Sequence, residues 1–314
     1  MMNEPYLAEP FRLSIKDMVG DLYELYVFIN GEFVKGKEAK VSVWDHGLVY
    51  GDGVFEGIRA YSGGVFKLGE HLRRLSDSAK AIGIDVPLSA QEIRDVVLEA
   101  MRRNDLSDAH IRVIVTRGIG RLGLDPRNCK RASVVVMTYP FPPLLGAKPV
   151  RVLSSSIRRK APNSVDARIK SLNYLDNILA KFQAVAAGYD DAIMLDVNGC
   201  IAEATGENVF AIKNEVISTP SLTAALPGIT RATVIELAMG MGYPVNERPM
   251  TLGELFMADE VFLTGTAAEI APVAEVDGRT ISRGAVGPIT GKIIAAYKAC
   301  VTAEEHLTLI NPGK

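Results

Sequence analysis

Glu203-Ala204-Thr205-Gly206-Glu207-Asn208-Val209-Phe210, followed by Leu226-Pro227-Gly228-Ile229-Thr230-Arg231, is the stretch on which the reading of this chain turns. A carboxylate, an Asn-apolar-aromatic strand, Thr219, and then a glycine turn opening a helix outline a site for a flat cationic ring that carries a phosphate. Such a phosphate needs backbone donors more than charge. Free amides at a helix start aim their dipole at an anion, which makes Gly228-Ile229-Thr230 the candidate cradle. Gly265-Thr266-Ala267-Ala268-Glu269 reads as a second one, because Thr266 with Glu269 three residues later spells a capping box beside a glycine.

Upstream, Lys170 stands in Ala167-Arg168-Ile169-Lys170-Ser171-Leu172-Asn173-Tyr174, where a strand-like approach turns into a helix expected over 172–187. Nearby cations at Arg168 and Arg159 would disfavour its charged form and leave an amine able to attack an aldehyde. Tyr174, four residues on, would return to the same helix face. On residue type alone, Lys170 can equally be a solvated surface lysine, Tyr174 a half-buried helix tyrosine, and Glu203 or Glu207 an exposed strand-end acid.

The chain of 314 residues is long for one core, and its 48% hydrophobic composition is ample for two. A formal charge of -2 and the short basic run Arg158-Arg159-Lys160 argue against nucleic acid as a partner. Three scattered cysteines, Cys129, Cys200 and Cys300, fit neither a zinc cluster nor a secreted disulfide framework; a reducing cytoplasm is expected. The first 25 residues lack a signal-peptide core, and no stretch reaches the ~20 apolar residues that span a bilayer.

Residues 1–25 read as an extension and 26–139 as a small α+β domain. The latter opens on the Asn30-Gly31 hairpin, with helices over 68–82 and 90–102 and strands over 111–116 and 132–139. The prolines of 140–149 mark an interdomain linker. Residues 150–314 form the larger domain, with strands over 150–154 and 192–196, hairpins at Asn198-Gly199 and Asp277-Gly278, and helices over 230–241 and 287–301. The helix over 172–187 gathers Leu172, Leu175, Leu179 and Phe182 on one face.

In their order these residues resemble the signature of the class IV, fold type IV, pyridoxal-phosphate aminotransferases and meet each defined position of that pattern. Lys170-Ser171-Leu172-Asn173-Tyr174-Leu175 resembles the Schiff-base segment of the branched-chain group, and Tyr50 to Tyr61 resembles that group more than the D-amino-acid or lyase relatives. The resemblance implies an α+β enzyme with a smaller N-terminal α/β domain and a larger pseudo-barrel domain, assembled as a homodimer or higher homo-oligomer. It implies pyridoxal phosphate on Lys170, Glu203 facing the ring nitrogen and Tyr174 the ring oxygen. Arg74, Ile229, Thr230 and Thr266 would hold the phosphate. Tyr50 and Phe55 would wall the pocket for leucine, isoleucine or valine. The amides of Thr266 and Ala267 would take the α-carboxylate, and Arg112 the second carboxylate of glutamate.

His110 departs from the pattern, standing where the group usually has tyrosine; its charge is expected to follow pH. It can also be a strand-end residue facing solvent. Three rivals to an L-branched-chain transaminase stay open: a D-amino-acid or (R)-amine transaminase on the same fold, a cofactor carrier that lost turnover, and a structural protein.

Overall fold

The computed structural model describes residues 20–140 and 148–311. Residues 1–19 of the expected extension and 141–147 of the expected linker lie outside the described residues.

The first sheet begins with β1 (Tyr26–Ile29) and β2 (Glu32–Lys35), joined by Asn30 and Gly31 at φ 51 and 108. Positive φ at both central residues is what a tight two-residue hairpin demands, hence Asn-Gly. After the short helix α1 (His46–Tyr50) come β3 (Gly53–Tyr61), β4 (Gly64–Phe66), helices α2 (Leu68–Ala81) and α3 (Ala90–Arg103), then β5 (Ala109–Thr116) and β6 (Ser133–Tyr139). Ser89 and Glu92 close a capping box at the start of α3.

The period-2 alternation of β3 decides what lies where. Val54, Ile58 and Ala60 face a core with Leu68, Leu72 and Leu75 of α2 and Val97 and Met101 of α3. Phe55, Gly57 and Arg59 point the other way, opposite Ile114, Arg112 and His110 of β5.

The second half contains β7 (Val150–Arg158), α4 (Leu175–Ala186), β8 (Asp191–Leu195), β9 (Ile201–Ala204), β10 (Asn208–Lys213) and β11 (Val216–Thr219). It continues through α5 (Ile229–Gly240), β12 (Val245–Glu247), α6 (Leu252–Phe256), β13 (Glu260–Gly265), β14 (Glu269–Val276), β15 (Arg279–Thr280) and α7 (Pro288–Cys300). The sheet order is β12-β11-β10-β13-β14-β7-β8-β9, with β15 beside β14. Its strands β9 and β10 meet at a turn where the Ala204 amide donates to the Glu207 carbonyl at 2.7 Å, so the sheet curls back on itself into a pseudo-barrel.

The last strand, β16 (Leu307–Leu309), returns to the first sheet and pairs with β4. Tyr61 and Phe66 of that sheet share a core with Phe210, Phe262 and Ile293 from the second half. The two halves are therefore fastened at one side and can enclose a cleft at the other.

Two local expectations are corrected. The 172–187 helix starts at Leu175 with Tyr174 at its N-cap, because Ser171 bridges Val54 and the Leu172 amide donates to Gly53 O at 2.8 Å. Its apolar face is largely exposed: Leu175 is 66% and Phe182 70% exposed, while Ala180 and Ala184 pack inward on Met194 and Ala192. The Thr266–Glu269 capping box does not form. Gly265 pairs with Glu269, and residues 266–268 make a hairpin turn between β13 and β14.

Candidate active site

A cavity of about 380 Å³ opens between the two halves, lined by Phe55, Gly57, His110 and Arg112 of the first sheet and by Lys170, Tyr174 and Arg74. Its far wall is built from Thr205, Gly206, Glu207, Asn208, Gly228, Ile229, Thr230, Gly265, Thr266 and Ala267. A larger groove of about 780 Å³ runs along β1, β5 and β6 and holds none of these groups.

Lys170 is fixed by its backbone. Its carbonyl accepts from the Phe55 amide at 3.0 Å and its amide donates to Ser78 Oγ at 3.1 Å, so residues 170–172 extend the sheet beside β3. Nζ lies 4.7 Å from the Phe55 ring centre and 5.8 Å from that of Tyr174, and the two rings meet edge to face at 5.0 Å. Burial lowers the amine to about 8, and Arg74 and Arg112 push in the same direction. The cations responsible are thus not Arg168, which is spent on Asp166 at the surface, or Arg159. Burial raises the Tyr174 phenol, with Glu203 adding to the shift, so it stays protonated.

Glu203 sits on β9, 5% exposed. Oε1 accepts from Arg159 Nε at 2.6 Å; Oε2 accepts from the Leu226 amide at 2.9 Å and Asn208 Nδ2 at 3.4 Å. Asn208 and Leu226 line the cavity with Lys170, and Glu203 acts on the charge of Lys170 and Tyr174. Arg159, 3% exposed, is held in turn by Asp176 at 2.7 Å and Asn177 at 3.1 Å.

Arg74 makes a bidentate contact with Glu56, Nε to Oε1 at 2.6 Å and Nη2 to Oε2 at 2.9 Å, and donates Nη1 to Pro227 O at 2.8 Å. Arg73 is exposed. Glu56 is fully buried; burial alone would raise its carboxyl, but His71 and Arg74 bring it down to about 2. Gly228 caps α5, so the amides of Ile229 and Thr230 begin the helix at the cavity wall. A Cβ on Gly228 would stand 2.1 Å from Asn208 Oδ1, so any larger residue there would have to displace the Asn208 side chain that also donates to Glu203 and to the Leu226 carbonyl.

His110 is 4% exposed and lines the cavity, which overturns the solvent-facing alternative. Burial, then Arg112 and Arg59, lower it to about 4, so it stays neutral through the physiological range and the expected pH-dependent charge is corrected. Arg112 stacks on Phe55 at 4.6 Å. Tyr50 is not in the lining; it is 37% exposed, and its hydroxyl accepts from the Gly123 amide at 2.9 Å.

Four participants went unread in these roles in the sequence: Glu56, Arg159, Asp176 and Asn177. Glu56 carried a signal, being an acid at an even position among Val54, Ile58 and Ala60 on the apolar face of β3. Arg159 carried none, since Arg158 beside it looks the same.

The donor set suits a phosphorylated pyridine aldehyde. It presents an amine of lowered basicity, a buried carboxylate fixed by an arginine, a protonated phenol, and a guanidinium beside helix-start amides.

The family model described as "Amino-transferase class IV" matches residues 53–276. A putative branched-chain-amino-acid aminotransferase of Methanocaldococcus jannaschii is 53% identical over 87% of this chain and 95% of its own length. The crystal structure of the Escherichia coli branched-chain amino acid aminotransferase superposes with a TM-score of 0.89 at 38% identity, covering 92% of this chain and 100% of that one. The branched-chain amino acid aminotransferase from Thermobaculum terrenum, solved in its PLP-form, gives 0.86 at 31% identity, covering 92% and 99%.

Proposed function

This chain belongs to the class IV aminotransferases, and from that premise we infer its reaction: it moves the amino group of branched-chain L-amino acids to 2-oxoglutarate, using pyridoxal phosphate. The observation that carries the site assignment is Lys170, an amine brought to about 8 in a cavity shared with Arg74, Tyr174 and the Gly228 turn. Bound pyridoxal phosphate supplies an aldehyde for an amine and an electron sink for the substrate α-carbon.

Each residue then has a distinct part. Lys170 would hold the cofactor through its amine and, when free, its uncharged amine would serve as the base that takes and returns the proton of the substrate α-carbon. Glu203, pinned by Arg159, presents a carboxylate to the ring nitrogen and favours its protonated form. Tyr174, kept protonated by its burial, would donate a hydrogen bond to the ring oxygen. Arg74 and the amides of Ile229 and Thr230 grip the phosphate, with Thr266 completing the set.

For substrate, the amides of Thr266 and Ala267 at the hairpin turn receive the α-carboxylate. Neutral His110 donates to the same group. Phe55 offers the apolar wall, and an apolar pocket ranks leucine, isoleucine and valine by only ~1 to 3 kcal/mol per methylene, so all three are accepted. Arg112 takes the second carboxylate of glutamate.

Exposed apolar residues support a homodimer or higher homo-oligomer: Val43 at 71%, Trp44 at 52%, Leu48 at 64% and Ile119 at 54%. In such an assembly Tyr50, displaced from its own cavity, serves a neighbour's. Among the described residues no helix is long and apolar enough to cross a membrane. Three free cysteines support a cytoplasmic setting.

The deciding assay incubates the holoenzyme and 2-oxoglutarate with either L-leucine or D-alanine and measures glutamate. Formation with L-leucine is expected; formation with D-alanine alone overturns the branched-chain reading.

A further inference from the structure

The carboxylate assigned to the ring nitrogen is the end of a line of buried charges. Glu203 Oε1 accepts from Arg159 Nε at 2.6 Å. A lone arginine so close would offset most of the carboxylate charge and leave little to hold a proton on a pyridine. Arg159 is not alone, however. Its Nη1 donates to Asp176 Oδ2 at 2.7 Å and to Asn177 Oδ1 at 3.1 Å. Asn177 Nδ2 donates in turn to the Thr205 carbonyl at 2.7 Å, so the first turn of α4 is tied to the turn between β9 and β10. The side chains of Arg159 and Asp176 are only 3% and 14% exposed, and salt and solvent screen such a pair little.

A second cation completes the set. Lys160 Nζ stands 3.4 Å from Asp176 Oδ1, donates to the Asn173 carbonyl and lies 5.9 Å from the Tyr174 ring centre. Carboxylates and cations therefore alternate in the order Glu203, Arg159, Asp176, Lys160. Asn208 and Leu226, which donate to Glu203 Oε2, line the cavity, whereas Arg159, Asp176 and Lys160 do not. The other titratable groups facing this end are Lys170 and Tyr174, ahead of α4. Behind those two stand Arg74 of α2, bound to Glu56 of β3, and Arg112 of β5.

The order of the line fixes what each member does to Glu203. Without the charge of Asp176, two cations would face Glu203 alone, and a proton on the ring nitrogen would be disfavoured. Without Lys160, the balance would tip the other way.

We propose that Asp176 is a positioning residue that offsets the charge of Arg159, so that Glu203 keeps the negative charge needed to hold a proton on the pyridine nitrogen. The proposal rests on the reading that Glu203 faces that nitrogen. Asp176 itself touches neither cofactor nor substrate; it acts through the guanidinium.

The test reads holoenzyme, loaded with pyridoxal phosphate labelled at its ring nitrogen, by nitrogen NMR at stepped pH, because protonated and neutral pyridine resonate at well separated positions. In Asp176→Asn the amide oxygen can still accept from Arg159, so the contact is kept and the charge is lost. The midpoint of ring deprotonation should fall by on the order of one pH unit. Lys160→Met should move it upward, and this opposite shift carries the test if the asparagine variant does not fold. Glu203→Gln should leave the ring neutral throughout. A titration indistinguishable from wild type in Asp176→Asn and Lys160→Met overturns the proposal, as does a fall in both, which a merely loosened structure would cause. A wild-type titration in Glu203→Gln instead overturns the reading of Glu203 beneath it.

Discussion

Burial and two arginines bring the Lys170 amine to about 8, so about a tenth of it is uncharged at pH 7, far more than for an ordinary lysine. A folded-state value below the ordinary lysine range means that the reactive form appears as pH rises through about 8. Covalent uptake of pyridoxal phosphate by apo-protein should therefore accelerate up to about that pH and then level, as read by stopped-flow absorbance. Continued acceleration to the ordinary lysine range would mean the site does not perturb Lys170. His110 behaves oppositely: held to about 4, it gives no inflection near neutrality. The lysine was legible because its flanking residues spell a recognisable segment. The cations that tune it were not, since Arg74 and Arg112 lie far away in sequence and meet it only through the sheet.

At the scale of elements, the proposed phosphate grip depends on α2 being tied to β3. Glu56 of β3 fixes the guanidinium of Arg74 on α2 with two hydrogen bonds, so Glu56→Gln should weaken pyridoxal phosphate binding about ten- to hundredfold in equilibrium dialysis. Unchanged affinity would separate Arg74 from the phosphate. The start of α5 was readable because a glycine turn precedes an apolar-periodic run. The Thr266–Glu269 turn was misread because a capping-box spacing also fits a hairpin, and Glu269 adopts φ 57 to close one. Only the pairing of Gly265 with Glu269 distinguishes the two. Likewise α4 loses its expected first turn to the bridge between Ser171 and Val54.

For the whole molecule, alternation and helical period were enough to foresee an α+β chain in two parts. They did not reveal that β16 crosses back to β4, because a three-residue strand carries too little pattern. Nor could they tell that the apolar face of α4 stays outside while its alanines go in. The exposed surface around Trp44, Leu48 and Ile119 predicts association: sedimentation should find more than one chain per particle, and Trp44→Asp with Ile119→Asp should shift it toward single chains. A single-chain wild type at every concentration would contradict the proposed assembly. Acid sensitivity is also a global property. Glu56 has a folded value of about 2, below its ordinary range, so it stabilises the fold above that range, and ~3 kcal/mol is lost as pH falls from about 4.5 through about 2. Urea unfolding of wild type at stepped pH should show this decline, and Glu56→Gln should lack that portion.

The central claim is that one amine, Lys170, carries the cofactor. Reduction of holoenzyme with borohydride, digestion and peptide mass mapping tests it most directly. The pyridoxyl mass should appear on the peptide bearing Lys170 and nowhere else, and its presence on another lysine, or on none, would contradict the account.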